Sequence, residues 1–483
     1  MVGIKDFEKV TAFEWIIPKM ITRGMQVPIR FFASEALLKN ALNDLAFVQA
    51  INASSLKGLI GDFCVMPDVH QGYGFPIGGV AASDFEKGVV SPGGIGYDIN
   101  CGVRLLASGV TIEDALPFLE NLALLLYQAC PGGIGKNGAI KLSKGDLLKV
   151  ASEGSRWALG HGLATKADLE LTEDNGCIAG ADLSAVSTRA IERGLTQLGS
   201  LGSGNHFIEV DLVEEVFNEV AANKMGLYKG HLVVQIHTGS RGFGHQICTD
   251  YVGEFQSAMP KYQLTVPDRE LVCAPIQSRE GQSYLAAMAC AANFAFCNRQ
   301  LLTSTIRAVF EKVFSRFPGN GQLELVYDLA HNIAKTEIHT IHGKHKKVCV
   351  HRKGATRAFG PGKPEIPQKY REIGQPVLIP GSMGTSSWVM IGTENAMEKS
   401  FGSCCHGAGR LLSRSLARKK MHGNTILKRM MEQGIYVRAG SLTGLAEESP
   451  DAYKDIDAVI ASVIGAGLVR KVAKLRPLVV IKG

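Results

Sequence analysis

The chain has 483 residues, a formal net charge of +7, 46% hydrophobic residues and 20% charged ones. These values exclude a disordered chain and a small disulfide-stapled scaffold, and they predict a soluble globular protein with a large core. Eleven scattered cysteines, no apolar signal core in MVGIKDFEKV and no apolar run of the ~18 residues that span a bilayer predict a reducing cytoplasmic setting.

Residues 1–60 mix strand-like and helical patterns, with Ser34–Ile51 reading as a helix. Over residues 61–110 short apolar runs alternate with glycine-rich turns, which predicts strands and hairpins. Thr111–Ala129 has helical spacing, with Thr111 as N-cap and Pro131 past the end. Residues 131–145 form a Gly- and Lys-containing loop, and 145–198 read as mostly helical. Leu232–Ile236 is a short β-branched strand and Leu323–Asp328 another, with a helical segment over 282–317 between them. Residues 360–376 are Pro-rich and read as a surface loop. Val377–Ile379 and Trp388–Ile391 read as strands bracketing a Gly/Ser loop. The C-terminal third carries two helical patterns and a last strand, Leu478–Ile481. Strands and helices interleave without a regular βαβ rhythm, and neither a repeat nor a separating linker is present. The expectation is an α+β fold in one large domain over residues 1–483.

Five histidines sit where strands end beside Gly, Asn or Ser: His70 in MPDVHQGYG, His206 in GSGNHFIEV, His237 in VVQIHTGSRG, His331 in YDLAHN and His406 in CHGAGR. GYDINCGVR adds Asp98 and Cys101, three apart and able to face one site across a turn. A carboxylate, a thiolate and imidazoles form a mixed hard and soft donor set that suits Zn, Mn, Fe or Co. A thiolate can bridge two ions at the spacing used in phosphoryl chemistry. One histidine at a strand end is ordinarily a hydrogen-bonded core residue; five such settings leave core histidines and a metal site equally open. IPGSMGTSSW (Ile379–Trp388) offers backbone N–H groups and hydroxyls for phosphates or a base edge, or is an ordinary tight turn; it is not a Walker A loop. HGAGR (His406–Arg410) reads either as a nucleophilic histidine with an arginine to neutralise charge or as a helix start without chemistry. Arg414–Lys420, Lys344–Lys347 and the nearby Arg352, Lys353 and Arg357 are basic clusters that would attract a polyanion.

Taken together, the motifs are familiar. GGIGYDINCGVR, LGSLGSGNHFIEV, QIHTGSRGFGHQ, DLAHN, HRKGATRAF, IPGSMGTSSWVM and HGAGR follow in one order, from MPDVHQGYGFPIGG to the terminal VIKG. In this the chain resembles the RtcB family of RNA ligases over nearly its whole length. The resemblance implies a family-specific α+β domain around a central cleft for two Mn²⁺ ions. It implies Asp98, Cys101, His206, His237 and His331 as ligands, with Cys101 shared: Cys101, His237 and His331 hold one ion, and Asp98, Cys101 and His206 the other. It implies GTP as cosubstrate and His406 as the residue that takes up GMP. It further implies Asn205, Glu209, Ser382, Ser387, Gly407, Tyr453 and Lys482 as nucleotide contacts. For Lys482, the penultimate residue, a frayed tail is the plainer alternative. Asp68 and Arg410 would order the reacting groups, Arg241 and Lys353 would meet phosphates or RNA, and His70 carries no role over. The implied reaction joins RNA 2′,3′-cyclic phosphate or 3′-phosphate ends to 5′-hydroxyl ends in tRNA splicing or RNA repair, with an archease-type activator as a possible partner. The rival readings are a dinuclear metal phosphoesterase and a non-catalytic RNA-binding subunit.

Overall fold

Leu323–Ala330 forms a strand of one sheet, and after a single residue, His331, the chain continues as Asn332–Ile341 in another. The computed structural model that shows this describes residues 2–133 and 135–483, so Ile134 of the predicted 131–145 loop lies outside the described residues. The first sheet has the strand order Glu8–Thr11, Glu14–Ile17, Ile29–Phe32, Leu59–His70, Ile77–Asp84, Lys344–Lys353, Asn332–Ile341. The second runs Leu323–Ala330, Gly102–Thr111, His231–Thr238, Phe207–Val216, Val469–Lys482, Ser387–Gly392, Pro376–Ile379, with Tyr436–Ala439 parallel to Val469–Lys482. Interior strands of both sheets are buried almost continuously, as in Leu232–Thr238, where every residue is buried, because helices and loops cover both faces.

Helix Arg279–Phe314 is the longest element, at 36 residues, and starts at Ser278, whose Oγ accepts the Gly281 N–H at 3.0 Å. Between Ala287 and Thr303 every residue is buried, so the alanine-rich run reads as apolar all round. Its buried polar side chains hold neighbouring loops. Asn298 accepts from Gly199 N (2.8 Å) and Ser200 N (3.0 Å) and donates to Ser200 O and Gly239 O. Among the described residues no helix is long and apolar enough to cross a membrane.

Several predicted elements divide. Ser34–Ile51 is two helices, Glu35–Ala41 and Ala46–Ala53, parted at the turn-forming Asn43 and Asp44. Thr111 does cap, accepting the Asp114 N–H at 3.3 Å, but helix Ile112–Ala115 gives way to a 3₁₀ turn at Pro117 before Leu119–Ala129. Residues 145–198 hold four short helices, and the C-terminal third holds five where two were expected. The last strand is longer than Leu478–Ile481, at 14 residues. The hairpin Asn332–Ile341/Lys344–Lys353 is not among the expected elements; only the basic residues of its second strand are. Its signal was the two-residue turn His342–Gly343, both with positive φ (49° and 74°), between alternating runs.

The basic cluster beyond that turn is also corrected. Arg352 is fully buried on Glu337 (2.6 Å), and Arg357 is buried on Glu173 (3.1 Å). A buried guanidinium needs its carboxylate, so neither is available to a polyanion. His351 carries a pH dependence. Burial holds its imidazole down to about 4, and its Nε2 accepts the Ser91 N–H at 3.3 Å, which only the neutral ring can do. The unfolded value is about 6.5, so the unfolded chain binds the extra proton between the two. This stability is therefore fully present above the unfolded value and is lost as pH falls through the folded one. In chelator-treated protein, unfolding free energy is expected to decline from pH 6.5 to 4.5, and His351→Gln to flatten that slope by about 1.4 kcal/mol per pH unit. Equal slopes in denaturant titrations would remove His351 as the cause.

Candidate active site

Cys101 directly precedes strand Gly102–Thr111, His206 directly precedes Phe207–Val216, His237 is the last residue but one of His231–Thr238, and His331 directly follows Leu323–Ala330. The register pairs Gly102 with both Ala330 and Thr238, and Phe207 with His237. Four adjacent strands thus deliver these four residues to one end of the sheet. Asp98 joins them across a tight turn: Cys101 N–H donates to Asp98 O at 3.0 Å, with Asn100 at φ 53°. The turn is fastened to the long helix, since Arg299 donates to Asn100 O (2.8 Å) and Asn100 Nδ2 donates to Ala292 O (2.7 Å).

The donor atoms converge. Cys101 Sγ lies 3.3 Å from His237 Nε2 and 3.4 Å from His206 Nε2, and His237 Nε2 lies 3.3 Å from His331 Nε2. His206 Nε2 is 2.8 Å from Asp98 Oδ2, while its Nδ1 lies 3.0 Å from Leu201 O. The carbonyl can only accept, so Nδ1 carries the proton and Nε2 is left with its lone pair. Two groups, Cys101/His237/His331 and Asp98/Cys101/His206, each keep one donor atom per residue within 4.8 Å of the others, and Cys101 belongs to both. Burial pulls the imidazoles of His237 and His331 well down, so both stay neutral and able to ligate. Burial, with Asp98 adding to it, pushes the Cys101 thiol well up. Only a cation would make that sulfur a thiolate, and clustering of lone pairs at these separations without one is unfavourable. The donor set therefore fits divalent metal ions.

Two glycines make the approach possible. A Cβ on Gly202 (φ +104°) would overlap Arg241 Nη1 and His206 Nδ1. Gly202→Ala is expected to displace the His206 ring and weaken metal binding roughly tenfold, as losses around a first ligand shell do. Metal titration of the variant checks this, and unchanged affinity at unchanged fold would show that the ring has room to move. Gly409 (φ +72°) is the second, since a Cβ there would overlap Asp68 O.

His406 follows the short strand Ser403–Cys405, and its ring centroid is 4.8 Å from that of His331. Asp68 Oδ2 lies 2.6 Å from His406 Nδ1 and accepts the His406 backbone N–H at 3.2 Å. The carboxylate keeps the ring proton on Nδ1 and leaves the Nε2 lone pair free.

A cavity of about 990 Å³ opens over His331 and His406 and is also lined by Asp98 and Cys101. Asn205, Glu209, Ser382, Gly407, Tyr453 and Lys482 line it too. Lys482 is no frayed tail: it is buried, paired with Phe207 on one side and Ala439 on the other. Ser387 lies behind the wall and accepts the Gly381 N–H at 3.1 Å, so it shapes the Gly/Ser loop. Arg241 also lies behind, donating to Ser200 Oγ (3.2 Å) and Gly133 O (3.3 Å). Lys353 is in the wall, with Nζ donating to Gly93 O (3.1 Å) and Tyr73 O, and burial lowers its ammonium to about 8. Arg410 is in the wall as well, but its guanidinium is engaged by Glu448 (3.2 Å), the Tyr453 hydroxyl (3.2 Å) and Glu447 O (2.7 Å). His70, the last residue of the Asp68 strand, lines the cavity too, with its Nδ1 3.0 Å from Asp68 O. Sequence reasoning missed Glu448 and Lys454, which line the cavity from the stretch EESPDAYKD; no local pattern there marks either.

A family model described as tRNA-splicing ligase RtcB matches residues 49–483. The chain is 50% identical over 476 residues to the tRNA-splicing ligase RtcB of Archaeoglobus fulgidus, covering 99% of this chain and 98% of the relative. It is also 50% identical over 483 residues to the tRNA-splicing ligase RtcB of Thermococcus kodakarensis, covering 100% and 99%. To the RNA-splicing ligase RtcB of Mycobacterium tuberculosis it is 50% identical over 441 residues, covering 90% and 100%. With full-length relatives at this identity and the family's model matched from residue 49 onward, the chain belongs to the RtcB family of RNA ligases.

Proposed function

We propose that residues 1–483 act as one ligase unit that joins RNA 2′,3′-cyclic phosphate or 3′-phosphate ends to 5′-hydroxyl ends, using GTP and two Mn²⁺ ions. The observation that carries this reading is the His406 ring, 4.8 Å from the His331 ring and oriented through Nδ1 by Asp68. A phosphoesterase has no need of a fourth imidazole so placed, beside the three of the donor set. Cys101, His237 and His331 would hold one ion and Asp98, Cys101 and His206 the other. When bound, the ions supply charge neutralisation on phosphate oxygens.

His406 Nε2 attacks the α-phosphorus of GTP, an N–P bond forms and pyrophosphate leaves. A 2′,3′-cyclic phosphate is opened by water to a 3′-phosphate. An oxygen of that phosphate attacks the phosphorus on His406, breaking the N–P bond and leaving the RNA end capped by GMP through a pyrophosphate link. The 5′-hydroxyl of the second strand then attacks the RNA phosphate, and GMP leaves. Activation is required because a bare 3′-phosphate has no good leaving group.

Guanine presents two donors that Glu209 can accept and an O6 to which Lys482 can donate; adenine presents the reverse. Burial and the neighbouring Asp211 push the Glu209 carboxyl well up, so a ligand's donors would relieve an otherwise costly charge. Asn205, Ser382 and Tyr453 complete the nucleotide wall, with Ser387 acting through its loop. Broken or intron-cleaved tRNA in the cytoplasm is the substrate class, and an archease-type protein would serve as activator. Incubation with α-labelled GTP and Mn²⁺ is expected to leave an acid-labile label on the protein that chelation prevents. A cleaved stem-loop with the stated ends is then sealed. Absence of label, or phosphate release without sealing, rejects the reading in favour of a phosphoesterase.

A further inference from the structure

Asp68 Oδ2 serves His406 twice, but its Oδ1 has no partner among the described residues. The carboxylate is thus aimed by its backbone, not by a second donor to the side chain. That backbone is gripped from a distant part of the chain. Lys454 is 8% exposed, and its Nζ donates to Pro67 O (3.2 Å) and Val69 O, the carbonyls on either side of Asp68. The Lys454 backbone N–H donates to Gly409 O at 3.0 Å, on the loop that carries His406. Gly409 packs so closely on Asp68 that no Cβ fits between them. One lysine therefore ties strand Leu59–His70 to the His406 loop from both ends of its own structure.

We infer that Lys454 is a positioning residue, which sets the direction of the His406 ring through Asp68 by clamping the Pro67 and Val69 carbonyls. The inference rests on His406 being the guanylylated residue. An ammonium offers three donors and no acceptor, so two carbonyls either side of one residue fix the local strand twist as an apolar side chain could not. Lys353 likewise donates to two carbonyls, Gly93 O and Tyr73 O, but neither of those residues is hydrogen-bonded to His406. Burial lowers the Lys454 ammonium to about 8, with Asp68 and Asp44 opposing that fall, so it is mostly charged near neutral pH.

The test is a double-mutant cycle on the full chain with Mn²⁺: Lys454→Met, Lys454→Arg, Asp68→Ala and Lys454→Met with Asp68→Ala, each checked for melting temperature and metal content. The first-order rate of label uptake from α-labelled GTP is expected to fall roughly 10- to 100-fold in Lys454→Met, with half-saturation by GTP within about twofold. Lys454→Arg should recover most of the rate. The double variant should be no slower than Asp68→Ala alone, because the lysine acts through the carboxylate. Additive losses, or an equal loss in Lys454→Arg, would overturn the inference. If Lys454→Met does not fold, Lys454→Gln takes its place in the same cycle. A wild-type chain that takes up no label sinks the guanylylation reading by itself. The lysine's role is then judged from ¹⁵N spectra of histidine-labelled protein. These are expected to show a single Nδ1-protonated tautomer for His406 in the wild type and a mixture in Lys454→Met. An unchanged tautomer in that variant contradicts the inference.

Discussion

His406→Ala is expected to abolish covalent labelling by GTP and to lower RNA sealing by roughly 10⁴-fold or more, the scale set by removing a covalent nucleophile. Metal content and melting temperature should stay near those of the wild type. The reason lies in how the ring is held. Its contacts are with Asp68 and with the His331 ring, and it is 14% exposed at the cavity wall, so its removal opens no core cavity. It belongs to neither group of converging donors, so the metal-ligating set is left whole. Mass spectrometry of the labelled protein, metal analysis and calorimetry on one preparation separate these effects. Label that persists in His406→Ala would place the nucleophile elsewhere and defeat the mechanism.

Asp328→Ala is expected to cost about 3–5 kcal/mol, because it strands two buried guanidinium groups. Asp328 is wholly buried between Arg104 (2.7 Å) and Arg299 (2.9 Å), which are themselves fully buried. Arg104 also donates to Gln300 (2.5 Å) and Thr303 (3.0 Å), so part of its bonding survives the loss of Asp328. Arg299 is the more telling partner. It donates to Asn100 O (2.8 Å) and Thr238 O (3.0 Å), which adjoin Cys101 and His237. A shift in Arg299 therefore reaches two donors of the candidate metal site. The variant should show a lower denaturant midpoint and weaker metal retention together. Weakened metal binding with an unchanged midpoint would mean the network orders the site without stabilising the fold; an unchanged midpoint and affinity would discount both roles.

Parts of this molecule were legible residue by residue. Thr111 precedes a helix that it caps through its side-chain oxygen, as its position before the apolar spacing implied. The strands around the Gly/Ser loop emerged within a residue of expectation, as Pro376–Ile379 and Ser387–Gly392, because β-branched and aromatic runs flanked a glycine-rich turn. Breaks inside helices were not legible, since short apolar runs continue across Asn43–Asp44 and Pro117 with unchanged spacing. Charge was misread where it is buried. Lys, Arg and Glu in the hairpin after His331 look like a basic surface in sequence, and only the structure shows Arg352 facing Glu337.

What the sequence determined by itself was the chemistry on offer: an Asp98–Cys101 turn, histidines where strands end, and an ordered set of motifs that marks the family. Residue type and local spacing are enough for that, since they depend on neighbours a few positions away. Which of those residues meet was decided only by tertiary structure. Strand register sets Cys101, His206, His237 and His331 side by side, and their separations along the chain carry no trace of it. His70, alike in context, ends on the other sheet with its Nδ1 on Asp68 O and belongs to neither group of converging donors. Lys454 and Glu448 became visible only when the chain folded back, because burial and a partner from another segment give a lysine or a glutamate its role.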